Sequence, residues 1–139
     1  MFKKKIRFLF FITICFIMIS SCASNVIQMY SGERLSSSET ARLQRYASDQ
    51  PYKNVKIIIF EFDGKKFSDT PNTIEFLPGS HTISFDFEVD GNSRIVYRSP
   101  PRRIRFTAEA GGEYAFGYPS SERRGFWIYD INTGEMDSY

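Results

Sequence analysis

The sequence predicts a mainly β fold: an antiparallel β-sandwich of about seven strands, preceded by one short N-terminal helix. Three observations carry this. From His81 to Asp90 apolar and polar residues alternate without a break. Turn pairs built from Asp, Gly, Pro and Asn recur at roughly the 8- to 12-residue spacing of short strands. Aromatic residues make up 17% of the chain, and Phe and Tyr concentrate after residue 55, where a pleated sheet surface accommodates them best.

Taken in order, the helix is expected over about 37–47. Ser36 and Glu39 stand at capping-box spacing, Ala41, Leu43 and Tyr46 follow as an apolar stripe, and Pro51 stops it. Val55–Phe62 (VKIIIFEF) is apolar on both parities, as expected of a strand covered on both sides, and Asp63-Gly64 turns it. Thr73–Leu77 is a short strand broken at Pro78-Gly79. In the next strand His81, Ile83, Phe85, Phe87 and Val89 face the core, while Thr82, Ser84, Asp86, Glu88 and Asp90 face out. Asp90-Gly91 predicts a hairpin into Arg94–Arg98. Beyond Pro100-Pro101, Ile104, Phe106 and Ala108 alternate with Arg103, Arg105 and Thr107. Gly111-Gly112 turns into Glu113–Tyr118, and Gly125–Ile131 is the last strand before Asn132-Thr133-Gly134.

The first 21 residues belong to no fold. Lys3, Lys4, Lys5 and Arg7 precede an apolar run of 12 residues, Phe8–Ile19. Crossing a bilayer takes about 20, so this run has the length of a signal-peptide core. Ile19-Ser20-Ser21-Cys22 closes it and resembles the lipobox of bacterial lipoproteins. The resemblance implies cleavage between Ser21 and Cys22, a diacylglycerol such as a palmitate-bearing one on the Cys22 thiol, and a membrane held through that N-terminal lipid. Cys15 has Ile14 before it, where a small residue is required. After cleavage Cys22 is the sole cysteine, so no intramolecular disulfide forms. Ala23 and Ser24 are not the Asp that retains enteric lipoproteins at the inner membrane. A Gram-negative host would therefore carry the protein on its outer membrane, facing the periplasm. The chain divides into a signal peptide (1–21), a lipidated N-terminus and tether (22–36) and a β-sandwich domain (37–139).

A second resemblance lies inside that domain. Phe76-Leu77-Pro78-Gly79-Ser80-His81-Thr82-Ile83 is similar to the Leu-Pro-Gly-x-His-x-Ile/Val signature of PEGA-like β-sandwich repeats, with Gly112-Glu113-Tyr114 in place of their later Gly-x-Tyr. The likeness covers about 40 to 70 residues. Small envelope lipoproteins share the same order of features: Tyr-x-Gly before a helix, a strand ending in Asp-Gly, Leu-Pro-Gly-x-His, and a C-terminal strand with Trp. The helix and the last aromatic strand go beyond a typical repeat. The resemblance implies extracytoplasmic binding or scaffolding without catalysis.

Charge narrows the function classes. The precursor is formally +2, but four of its 18 Lys and Arg precede residue 8. That leaves 14 against 16 Asp and Glu, a charge of −2 on the part from Cys22 onward. A mildly acidic exported domain is no nucleic-acid binder. His81, the only histidine, sits on the apolar face beside the Pro-Gly turn and is expected to bond a turn carbonyl. Asp86, Glu88 and Asp90 read as a solvated strand face. No nucleophile–base arrangement or metal-ligand spacing is present, so neither an enzyme nor a cofactor is expected.

Two groups remain as candidate binding residues. Arg94, Arg98, Arg102, Arg103, Arg105, Arg123 and Arg124 make the C-terminal half locally basic; they read as a solvated sheet face balanced by carboxylates opposite, or as a patch facing anionic lipid or lipopolysaccharide phosphates, with which guanidinium pairs bidentately. Trp127 and Tyr129 alternate with Phe126 and Ile128, which turns one set of rings away from the core. The expected function is a non-catalytic interaction or structural module of the cell envelope. The alternative is a glycan- or peptide-binding or inhibitor module that uses Arg102, Arg103, Arg105, Trp127 and Tyr129.

Overall fold

The computed structural model describes residues 26–46, 54–91, 94–118 and 125–135. The expected signal segment (1–21) and the expected lipidation site Cys22 lie outside them. The described chain is mainly β: β1 (Val26–Gln28), β2 (Ala41–Gln44), β3 (Val55–Phe62), β4 (Lys65–Lys66), β5 (Thr73–Phe76), β6 (Gly79–Gly91), β7 (Arg94–Arg98), β8 (Arg102–Ala108), β9 (Glu113–Gly117) and β10 (Trp127–Asp130). One sheet has the order β1-β5-β2-β9-β10. The other runs β4-β3-β6-β7, with β8 also paired to β6.

β6 is the spine of the second sheet. β3 lies along one side of it, and its other side is shared end to end, β8 pairing with residues 79–85 and β7 with residues 88–91. Ser99 joins the two segments. Its amide donates to the Phe87 carbonyl (2.9 Å) and its hydroxyl accepts from the Phe87 amide (2.9 Å). Pro100 and Pro101 then redirect the chain where no ladder donor is needed.

Inward-facing residues of both sheets form one core. Ile57, Ile59 and Phe62 (β3), Ile83 and Phe85 (β6), and Ile104 and Phe106 (β8) meet Leu43 (β2), Ile74 and Phe76 (β5), Tyr114 and Phe116 (β9) and Ile128 (β10). Ring pairs bridge the sheets: Phe62–Phe76 at 4.9 Å, Phe85–Phe116 at 4.9 Å and Phe106–Tyr114 at 5.9 Å between centroids. Each such pair adds about 1 kcal/mol beyond the area it buries. The period-two reading of 81–89 and 103–108 therefore places Ile83, Phe85, Ile104, Phe106 and Ala108 correctly.

Four expectations are corrected. The helix over 37–47 is absent. Ser36 and Glu39 do bond as a capping box would, with Ser36 N and Oγ 3.1 and 2.6 Å from Glu39 Oε2. They close only a turn, after which Ala41–Gln44 becomes a strand between β5 and β9. Ala41 and Leu43 are buried at period two, and ladder bonds on both sides outweigh a short helix that is marginal in isolation. Second, β3 is not covered on both faces: Lys56 is exposed, and Ile58 and Phe60 are half-buried. A register shift between Ile59 and Glu61 adds Phe60 as an extra residue, so that Phe62 still turns inward after Ile59.

Third, the described part of the tether expected over 22–36 is not a free lead, because Val26–Gln28 pairs with β5 as β1. Fourth, the sheets are not purely antiparallel. β1 with β5 and β2 with β9 are parallel pairs, since β1 and β2 add to the seven expected strands from a distance in sequence.

Candidate functional site

Near the Pro78-Gly79 turn the structure builds a polar knot. Gly79 opens β6 with φ +137°, a conformation that favours glycine. Two residues on, His81 is wedged among Phe62, Phe76 and Phe106, with ring centroids at 5.2, 4.6 and 5.9 Å. Its Nε2 lies 2.8 Å from the Leu77 carbonyl and its Nδ1 2.6 Å from Asp63 Oδ2. Asp63 Oδ1 accepts from the Thr82 amide at 2.7 Å. The turn carbonyl was the expected partner of His81, and Asp63 is the additional one. The knot ties the β3–β4 turn to the β5–β6 connection.

Gly112-Glu113-Tyr114 does start a strand, and the glycine has a packing reason. The Tyr114 ring folds back onto Gly112, where a Cβ would collide with it. The Tyr114 hydroxyl accepts from the Glu109 amide at 2.9 Å, the pattern of a tyrosine corner.

On the outer face of the β1-containing sheet, Glu75 is only 1% exposed, yet it is fully paired. Arg34 donates to it from Nε (3.2 Å) and Nη2 (3.0 Å), Arg42 from Nε (3.0 Å) and the Tyr30 hydroxyl at 2.8 Å. The Arg34 guanidinium, followed by the Tyr30 and Arg42 bonds, outweighs burial and holds the Glu75 carboxyl down to about 2. In return Glu75 raises the pKa of Arg34, while burial and then the bond to Glu75 raise that of Tyr30. The Glu75 carbonyl also accepts from the Met29 amide at 2.8 Å. This clasp seats the segment after β1 on the sheet. Its only mark in the sequence is a carboxylate at the outward parity of a short strand, and parity does not reveal burial.

The outer face of the other sheet carries a second set of buried carboxylates. Asp86 and Glu88, expected in solvent, are 6% and 8% exposed. Arg98 reaches across from β7, with Nη2 2.9 Å from Asp86 Oδ2 and Nη1 3.6 Å from Glu88 Oε1, and Lys56 Nζ lies 3.8 Å from Glu88. Asp86 Oδ1 has no partner among the described residues. Farther along, Arg103 lies 3.7 Å from Glu61 and 3.4 Å from Ser84. A shallow cleft of about 320 Å³ opens there between Phe60, Glu61, Ser84, Pro101, Arg102 and Arg103.

The sequence-predicted binding residues do not converge. Arg103 and Arg105 project from the outer face of β8, opposite Ser84 and Thr82 in register. Arg102 extends over the Phe87 ring, 5.6 Å from its centroid. Trp127 and Tyr129 lie on the outer face of the opposite sheet, paired in register with Gly117 and Ala115. The indole occupies the space that a Cβ on Gly117 would need, and both rings are half-buried. Arginines and aromatics therefore stand on opposite faces, too far apart in the architecture for one composite pocket. Arg123 and Arg124 lie outside the described residues. Among the described residues no group of three His, Cys, Asp or Glu side chains is placed to hold a metal ion.

Comparison with protein-family models, with curated proteins and with solved structures finds no match.

Proposed function

We propose that the chain is the precursor of an acylated envelope lipoprotein whose mature part is a non-catalytic β-sandwich interaction module, PEGA-like in its Leu-Pro-Gly-x-His turn. One observation carries the reading: the lipobox-like Ile19-Ser20-Ser21-Cys22 ends four positions before Val26, the first residue of β1. Processing at Cys22 leaves a lipid four residues from β1, with every described strand kept in the mature part. The Glu75 clasp supports the same reading, because it holds the segment that follows the anchor. The buried carboxylates Glu75, Asp86 and Glu88 are engaged by arginines from other segments, which suits scaffolding or binding better than turnover. The partner on the envelope side is a protein or a glycan, and the location is the outer membrane facing the periplasm in a Gram-negative host.

The test is metabolic labelling with palmitate followed by mass analysis of the mature N-terminus. The expected product begins at an acylated Cys22, and Cys22→Ala loses the label and accumulates uncleaved precursor. Two or three acyl chains give stable anchoring, at about 0.8 kcal/mol per buried CH₂, where one chain does not. A label that persists in Cys22→Ala, or a mature protein that starts elsewhere, overturns the proposal.

A further inference from the structure

Four features place one particular end of the domain next to any membrane that Cys22 enters. First, Val26 stands opposite Thr73, and β2 brings Gln44 to the same Thr73. The Tyr46 hydroxyl accepts from the Ile57 amide at 3.1 Å, and Phe126 packs on Phe87 at 4.5 Å. These contacts put Val26, Tyr46, the start of β3, the β6–β7 hairpin and Phe126 at a common end.

Second, the covalent reach is short. Four residue steps separate Cys22 from Val26, and an extended chain spans at most about 14 Å over them. The expected 15-residue tether would have let the domain sit anywhere above the bilayer, whereas this spacing does not.

Third, charge differs between the ends. Arg45, Lys56, Arg98 and Arg102 lie on the Val26 side of the fold, against Asp69, Asp86 and Glu88. The side chains of Lys56 and Arg98 are 62% and 58% exposed, although each also pairs with a carboxylate. The opposite end carries Glu39, Asp63, Glu109, Glu113, Asp130 and Glu135, with Lys65, Lys66 and Arg105 as cations beside them. A domain of overall negative charge is thus polarised along its strands. Fourth, Tyr97, one of the few large exposed apolar side chains, lies at the basic end and leans on Phe87 at 5.9 Å. Tyrosine beside arginine is the composition of a headgroup-level contact.

We propose that the Val26 end rests on the anionic phospholipid headgroups of the anchoring membrane, with Arg98, Arg102 and Arg45 toward phosphate and Tyr97 at the interface, and that the acidic end points away. The orientation leaves the open cleft of about 440 Å³ between Ser37, Ser38, Gly111 and Asn132 at the distal end, where a partner can reach it. This inference rests on acylation of Cys22.

The experiment uses the full acylated protein on vesicles of phosphatidylcholine with or without phosphatidylglycerol. Once Cys22 is acylated, an introduced cysteine is the only free thiol. A fluorophore is attached at Asn54→Cys or Asn72→Cys, exposed positions at the Val26 end, or at Ala110→Cys, exposed at the far end. Headgroup-bound nitroxide should quench the first two several-fold more than the third on phosphatidylglycerol vesicles. The contrast should shrink in 1 M salt, where screening acts within about 3 Å, and with Arg102→Glu, which has no carboxylate partner to orphan. Equal quenching at the two ends on vesicles that do carry the protein overturns the orientation alone. An undiminished contrast on pure phosphatidylcholine overturns the anionic-headgroup assignment. Protein that fails to float with any vesicle overturns the acylation reading and the orientation with it.

Discussion

The two outer faces solve the same problem differently. Each buries carboxylates on a sheet surface and covers them with arginine. Glu75 has two guanidinium groups and a phenol, every contact at 3.2 Å or less, and its carboxyl is held down to about 2. Asp86 and Glu88 share Arg98, Glu88 is met only at 3.6 Å by Arg98 and 3.8 Å by Lys56, and Asp86 Oδ1 has no partner among the described residues. The first arrangement is closed and fixes where the chain after β1 lies. The second is incomplete: the partnerless Asp86 oxygen is itself buried. Buried charge stabilises when its hydrogen-bonding capacity is filled, and buried charge left half-satisfied costs stability.

The largest expected effect tests the closed face. Glu75→Gln should destabilise the domain by about 3 kcal/mol, the scale of holding a carboxyl from 4.5 down to about 2. Urea unfolding checks it. The sign follows from the lowered pKa: the stabilisation is fully present above about pH 4.5 and is lost as pH falls toward 2. An acid titration of the wild-type melting temperature should therefore lose a step that Glu75→Gln lacks. A variant as stable as wild type at pH 7 would mean that the two faces are energetically alike.

Gly117→Ala probes the same sheet without touching charge. The added methyl must displace the Trp127 indole, so we expect a loss of about 2 kcal/mol, together with a shift in tryptophan emission. Arg98→Gln measures the incomplete face and should cost about 1 kcal/mol. Its side chain is 58% exposed and Lys56 stays near Glu88, so solvent replaces much of what is lost. A penalty above that of Glu75→Gln would invert the comparison. Arg103→Gln, 70% exposed and 3.7 Å from Glu61, should change the free energy of urea unfolding by less than about 0.5 kcal/mol. Any larger loss would show that the Phe60–Arg103 cleft is itself structural.

Local alternation made much of the fold legible. The seven expected strands all occur, because period-two patterns such as Ile83/Phe85 and Ile104/Phe106 register one buried face whatever pairs beside it. The same logic fails for β1, β2 and β4, which are two to four residues long. Such segments hold no pattern of their own and are strands only because β5, β9 or β3 supplies the ladder. At 36–47 the local signals were real, since the Ser36–Glu39 bonds form. They specified a turn start, and helix and strand share that beginning.

For the candidate sites the division is sharper. Residue order alone determined the lipobox-like segment, the alternating core, the Pro-Gly break at β6 and the carbonyl partner of His81, all of which depend on neighbours a few positions away. Only the tertiary structure decided that Asp86 and Glu88 are buried, that Glu75 closes on Tyr30, Arg34 and Arg42, and that Arg103 and Trp127 stand on opposite faces. The reason is physical. Exposure and pairing of a side chain on a sheet are set by the residues that lie beside and over it, and those come from segments 12 to 45 positions away.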